Sequence, residues 1–286
     1  SPNNLEKEFV QRAILRGIPT VVISDIHGSG LRTGLILNEP SLDKVLFTAL
    51  DSEDSRLIRE YFQGPVKPKI VETGSPAFDK FDGKMGFAKY LARISSPFPR
   101  VFHILGQDDS TTDFLAGALQ TADSFEGSLA IVGLHPKFLS NPELCSKWFG
   151  IVRSSKTMVI WGNSLATTLQ YMASSTYVVS GYSTGLIEAG LIANNLGPIA
   201  VSWVSPLVRQ RMAESLGGLT TFPTVTYGGA IEVASVEEFR EKVPDPGTKA
   251  FREFRESARE ALRTRLHVDG KATERIVSAI REHAGL

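Results

Sequence analysis

A single cysteine, Cys145, is the first scarcity in this sequence, and it removes two structural options. One thiol cannot close an internal disulfide, and without a CxxC pair or a His/Cys cluster no spacing suits a structural zinc, so no metal is expected. No run of 18 apolar residues occurs, which leaves no candidate for a membrane-spanning helix. The opening stretch SPNNLEKEFVQR lacks the charged-then-apolar layout of a signal peptide, and a cytoplasmic location is the expectation. Net charge is missing as well. Thirty-one basic residues balance 31 acidic ones, which removes the global electrostatic argument for binding nucleic acid or an anionic membrane. Any phosphate site must then be local. No GxGxxG opens either half of the chain, so a nicotinamide-dependent dehydrogenase is disfavoured.

What is present is ordinary globular material. Of the 286 residues, 42% are hydrophobic and 22% charged, enough to bury real cores, and the length fits two linked lobes. Leu5, Phe9, Ala13 and Ile14 recur at helical spacing between a capping Asn4 and a stop at Gly17. A short β-branched strand follows at 19–24 and ends in the polar loop Asp25-Ile26-His27-Gly28. Further strands are predicted at 44–49 and 69–72, separated by a helix at 52–62 that carries Ser52 as its own cap. A helix at 84–94 and a proline-bearing linker at 95–99 close this part.

A fresh alternation starts beyond the linker. Strands are predicted at 100–105, 128–134, 157–161, 176–180, 198–203 and 222–227, with helical patterns between them and a charged helical C-terminus. Strands alternating with helices in this way indicate an α/β fold with parallel sheets covered on both faces. The expected division is a partial lobe at 1–96 and a complete one at 97–286. The first lacks the usual opening strand and glycine-rich turn of a doubly wound sheet; that portion would be removed, supplied by another chain or a second copy, or never present.

Ligands of open α/β sheets bind beyond the carboxyl ends of the strands. There, Gly106 and Gln107 open a loop rich in Asp, Ser and Thr, although Asp108 and Asp109 would repel a pyrophosphate. His135 follows the next strand, where an imidazole can meet a sugar hydroxyl or an anion. The densest signal is Ser180-Gly181-Tyr182-Ser183-Thr184-Gly185, a glycine- and hydroxyl-rich turn running from a buried strand into a helix start, where free amides favour an anion. Glu188 lies four residues beyond Thr184, on the same helical face, placed to accept bonds from two adjacent ribose hydroxyls. Arg209 and Arg211 are candidates to face a diphosphate or a solvated helix face. In the first lobe, Asp25 and His27 are candidates for a general base and its partner, or for turn residues.

Thr73-Gly74-Ser75-Pro76-Ala77-Phe78-Asp79 after a strand, His135-Pro136, Ser183-Thr184 with Glu188-Ala189, and the final segment Gly270 to Ile276 together resemble the GT-B superfamily. Its relevant members are the non-hydrolysing UDP-N-acetylglucosamine 2-epimerases, lipid A disaccharide synthase, and the polyol-phosphate and capsule glycosyltransferases. The resemblance implies two Rossmann-like lobes, the second holding the nucleotide and the first the acceptor, with the last helix returning to the first lobe. It further implies that Glu188 binds the ribose, that Ser183 and Thr184 bind the diphosphate, and that Gly106 and Gln107 line the donor cleft.

The sequence also departs from the epimerases. Gly30 to Gly34 echoes them, but the acidic residue expected just before is Gly28 or Ser29, and their His-Arg pair reads Gln107-Asp108 here. Both losses remove groups needed for proton transfer and leaving-group departure, so epimerase chemistry is disfavoured, while glycosyl transfer, which needs positioning, one base and a stabilised diphosphate, survives. The expected function is a metal-independent glycosyltransferase using a nucleotide sugar, UDP-linked, as donor substrate and a glycan, lipid or small-molecule hydroxyl as acceptor, with no cofactor. An epimerase-like enzyme and a non-catalytic nucleotide-sugar-binding scaffold are the alternatives. Peripheral membrane association and homo-oligomerisation stay open.

Overall fold

A computed structural model of the chain describes residues 3–28, 39–62, 64, 66–81, 97–135, 141–162, 168–192 and 197–286. In chain order its elements are α1 (Asn3–Leu15), β1 (Thr20–Val22), β2 (Val45–Ala49), α2 (Ser52–Tyr61), β3 (Lys69–Glu72), β4 (Arg100–Leu105), α3 (Thr111–Asp123), β5 (Ser128–Gly133), α4 (Pro142–Ser154), β6 (Met158–Trp161), α5 (Thr168–Ser174) and β7 (Tyr177–Ser180). They continue with α6 (Thr184–Leu191), β8 (Ile199–Trp203), α7 (Pro206–Ser215), α8 (Pro223–Thr226), β9 (Ile231–Val233), α9 (Val236–Lys242), α10 (Lys249–Arg265) and α11 (Ala272–Ala284). The helix expected at 84–94 and the glycine pair at 30–34 lie outside the described residues.

The chain divides into two compact units. One comprises Ser1–Met85, Met212–Leu219 and Arg263–Leu286; the other comprises Gly86–Arg211 and Thr220–Leu262.

In the first unit, β1, β2 and β3 form a parallel sheet in that order. All five residues of β2 are buried, as expected of a strand covered on both faces, and Phe47 packs with Val22, Leu57, Ile58 and Phe62 in the core. Helix α1 ends where Gly17 takes a positive φ of 68°, a conformation that glycine adopts without a Cβ clash. Helix α2 is capped by Asp51, not by Ser52: the Asp51 side chain accepts from the amides of Glu53 and Asp54. An aspartate in extended backbone reaches the second and third amides of the helix, so the cap sits one residue earlier than the serine suggested. The segment Thr73 to Asp79 holds the terminal helix. Asp79 accepts from the amides of Ala272 (3.0 Å) and Thr273 (3.1 Å), and Arg275 Nε donates to the Thr73 carbonyl at 2.8 Å.

The second unit contains a six-stranded parallel sheet in the order β6-β5-β4-β7-β8-β9. Successive strands therefore run outward on one side from β4 and then on the other side from β7, the doubly wound arrangement. Five of its strands coincide with the sequence expectation to within a residue. The sixth does not: 222–227 is not a strand, because Pro223 starts the short helix α8, and the edge strand is Ile231–Val233. Proline fixes φ near the helical value and lacks the amide a ladder needs, whereas it is well tolerated at the first helical position.

Candidate nucleotide-sugar site

The winding of the second sheet reverses between β4 and β7, and adjacent loops diverge at such a point to leave a crevice at the strands' carboxyl ends. A pocket of about 270 Å³ lies there. Six residues singled out in the sequence line it: Gly106 after β4, His135 after β5, and Ser183, Thr184, Gly185 and Glu188 at the start of α6.

The chemistry of the α6 start follows from its cap. Ser183 is in extended backbone (φ −80°, ψ 145°), and its hydroxyl accepts from the Gly185 amide at 3.2 Å. The free amides and dipole of a helix start favour an anion there. Gly185 permits close packing, since a Cβ at this position would collide with Leu105 Cδ1 and lie 3.0 Å from Met172 Cε. Leu186, Ile187, Ala189, Gly190 and Leu191 are buried, but Thr184 and Glu188 are only half-buried and both line the pocket. A spacing of four places their side chains on one face, one turn apart.

The remaining sequence candidates of this unit stand outside the pocket lining. Ser180 is buried and donates to the Leu105 carbonyl at 2.8 Å, which ties β7 to β4. Gly181 is buried, and its carbonyl accepts from Ser202 Oγ at 2.7 Å. Gln107 donates its backbone amide to Thr111 Oγ1 at 2.9 Å. The two aspartates that seemed hostile to a diphosphate have partners of their own. Asp108 accepts from the Ser110 amide at 2.9 Å and from the Tyr182 hydroxyl. Asp109 is gripped by Arg211, with Nε to Oδ1 at 3.0 Å and Nη2 to Oδ2 at 2.6 Å, and the guanidinium holds that carboxyl below its ordinary pKa. Arg209 donates to the Thr220 carbonyl at 2.9 Å and pairs with Glu232 at 2.6 Å. Both arginines are thus engaged within the protein.

In the first unit, Asp25 is exposed, whereas His27 is fully buried with Nε2 2.9 Å from Asp51 Oδ2. Asp54 lies alongside, accepting from the Gly28 and Leu50 amides at 2.8 and 3.0 Å, and burial raises its pKa. Asp51 was missed in the sequence because Ser52 competes as the cap. His103 was missed too. It is the one polar side chain within the apolar run Val101 to Leu105, and that interruption was the available signal.

Comparison with known proteins locates this architecture. No protein-family model matches the chain, and no curated protein matches it in sequence. Solved structures do match. MnaA of S. aureus in complex with UDP is 14% identical, aligned over 100% of this chain and 80% of its own, with a TM-score of 0.58. An alpha,alpha-trehalose-phosphate synthase (UDP-forming) from Burkholderia vietnamiensis is 12% identical over 96% and 70%, with a TM-score of 0.54. The UDP-GlcNAc 2-epimerase of Neisseria meningitidis bound to UDP-GlcNAc is 15% identical over 95% and 72%, with a TM-score of 0.51. The chain shares the α/β fold of these solved structures, with two parallel sheets and helices on both faces. Among the described residues, no helix is long and apolar enough to cross a membrane.

Proposed function

We propose that this chain is a nucleotide-sugar-dependent glycosyltransferase that transfers a sugar to a hydroxyl acceptor in cell-envelope or polysaccharide synthesis without a metal ion. One observation carries the reading: Thr184 and Glu188 are the half-buried residues on an otherwise buried helix start, and both line the pocket at the switch point of the second sheet. The helix start takes the diphosphate, and the Glu188 carboxylate accepts from the ribose hydroxyls. UDP is the favoured nucleotide because the fold neighbours include proteins solved with UDP and UDP-GlcNAc.

In the reaction, the acceptor oxygen bonds to the anomeric carbon while the bond from that carbon to the diphosphate oxygen breaks. The acceptor proton goes to a carboxylate base. Asp25 is assigned this role in preference to His27, because its side chain is exposed and that of His27 is not. The departing diphosphate is stabilised by the Ser183 helix start.

Calorimetric titration tests the assignment. Glu188→Ala should raise the Kd for UDP at least about tenfold, a loss of about 1.4 kcal/mol, and added chelator should leave binding and turnover unchanged. If the wild-type chain binds none of UDP, CDP and GDP, the assignment is wrong. A second reading, a non-catalytic nucleotide-sugar-binding protein, is favoured by the complete burial of His27 against Asp51. Donor binding without any transfer or donor hydrolysis would select it.

A further inference from the structure

His103 sits at the middle of β4, paired in register with Ile131 of β5 and Val178 of β7. It is 1% exposed, its Nδ1 has no hydrogen-bond partner, and its ring meets Tyr171 edge-on at 5.7 Å. A buried polar atom without a partner costs stability, and such costs concentrate where function requires them. Burial also pushes its pKa down to about 3, so the ring is neutral at physiological pH and offers one donor and one acceptor.

The surroundings give this imidazole an outlet. Gly106 after β4, Gly133 at the end of β5 and Gly162 after β6 terminate three adjacent strands. They are stitched together by Gly106 N to Gly133 O at 2.7 Å and Gly162 N to Val132 O at 2.9 Å. All three line the pocket, as does His103 itself. A Cβ at Gly133 would lie 3.5 Å from His103 Nε2, so it is this nitrogen, not the unpartnered Nδ1, that lies on the side where Gly133 carries no side chain. Leu105, Leu134 and Met172 line the pocket beside these glycines, so one neutral, hydrogen-bonding ring stands in a largely apolar lining on this side.

We propose that His103 is a specificity-determining residue that hydrogen-bonds an uncharged edge of the donor's nucleobase across Gly133. The inference rests on the nucleotide-sugar reading above. Glycine backbone flanked by the apolar side chains of Leu105, Leu134 and Met172 accommodates a flat heteroaromatic ring. The start of α6 suits the diphosphate, and the single donor and single acceptor of the imidazole, set among apolar side chains, suit an uncharged polar edge.

The test uses His103→Phe in the full chain, which keeps an aromatic ring against Tyr171 and removes both nitrogens. UDP, CDP, GDP, ADP and inorganic pyrophosphate are titrated calorimetrically, and Tm is recorded. Expected are a rise of about tenfold in Kd for the preferred nucleoside diphosphate, the worth of one hydrogen bond, and a narrowed preference among the bases. Pyrophosphate affinity should be unchanged and Tm should not fall. Gly133→Ala, which retains the imidazole and covers it, should produce the same base-selective loss and carries the test if His103→Phe loses its fold. Wild-type affinity for the preferred nucleotide in both variants overturns the role of His103 while leaving nucleotide binding intact. An equal loss for pyrophosphate, or a loss confined to sugar-bearing donors, overturns the base assignment. If the wild-type chain binds no nucleoside diphosphate, the function assignment and this inference fall together.

Discussion

The carboxylate of Asp51 serves two purposes: Oδ2 lies 2.9 Å from His27 Nε2, while Oδ1 accepts from the amides of Glu53 and Asp54 at 2.9 and 3.0 Å. One side chain therefore starts helix α2 and fixes the orientation of a buried imidazole. Removing it costs both. Loss of an N-cap is worth about 1 kcal/mol, and stranding a buried polar partner costs about 1–3 kcal/mol. Asp51→Ala should therefore lower the urea-derived stability by roughly 2–4 kcal/mol. Asp51→Asn, which keeps an acceptor for the cap, should lose clearly less; equal losses would refute the division of labour.

Arg211 provides a contrast, because its grip on Asp109 competes with any contact to a ligand. Arg211→Gln is expected to change the UDP Kd less than about twofold, since one hydrogen bond to a charged group would be worth well over tenfold. The pair is partly exposed, with side chains 35% and 47% accessible, so its stability contribution should be at most about 1 kcal/mol. Because Arg211 lowers the pKa of Asp109, the contribution is present above the unfolded carboxylate value and vanishes as pH falls through the lowered folded value. The difference in Tm between wild type and variant at pH 7 should thus close in strong acid. A tenfold rise in the UDP Kd would instead place the guanidinium on the diphosphate.

Gly117, in α3, offers a test of packing away from the pocket. A Cβ there would overlap the indole of Trp203, with Cε2 at 2.7 Å, and Trp203 is only 4% exposed. Overpacking of this kind costs about 1–3 kcal/mol, against a gain of up to about 1 kcal/mol in helix propensity for alanine over glycine. Gly117→Ala should be net destabilising in thermal melts, with UDP affinity retained. A rise in Tm would show that the indole relocates freely.

His103 has a pH signature of its own. Its folded pKa, about 3, lies below the unfolded value, so the native state resists protonation. The unfolded chain binds the extra proton between those values, and stability must decline as pH drops below about 6.5. His103→Phe removes this liability. Comparing urea midpoints at pH 7 and pH 4.5, the variant should gain on the order of 2 kcal/mol relative to wild type. Parallel curves would mean that the imidazole is solvated in a way its burial does not suggest.

Much of the fold was legible because the signals that encode it are local. The strand at 100–105 has the length and apolar run of a covered parallel strand and forms as expected, and the short strand at 69–72 forms as a half-exposed edge. Where a neighbouring residue could play the same part, the reading slipped by one or by several positions. Asp51 displaced Ser52 as a cap, and Pro223 turned an expected strand into a helical turn, leaving the edge of the sheet to Ile231–Val233.

The local sequence around Ser183 determined a strand, a turn of small hydroxylated residues and a capped helix start, with Thr184 and Glu188 on one face, because capping and helical periodicity act within a few residues. It could not determine which polar side chains stay available to a ligand. Asp109 and Arg211 are 102 positions apart, and Asp51 and His27 are 24 apart, yet each pair closes a hydrogen bond within the protein. His103 depends on the same kind of distance: an imidazole in an apolar strand has beside its Nε2 a residue of the next strand, Gly133, that carries no side chain. Hydrogen-bond partnership depends on distances that exist only once the strands are side by side, and for that reason the tertiary structure alone sorted these residues.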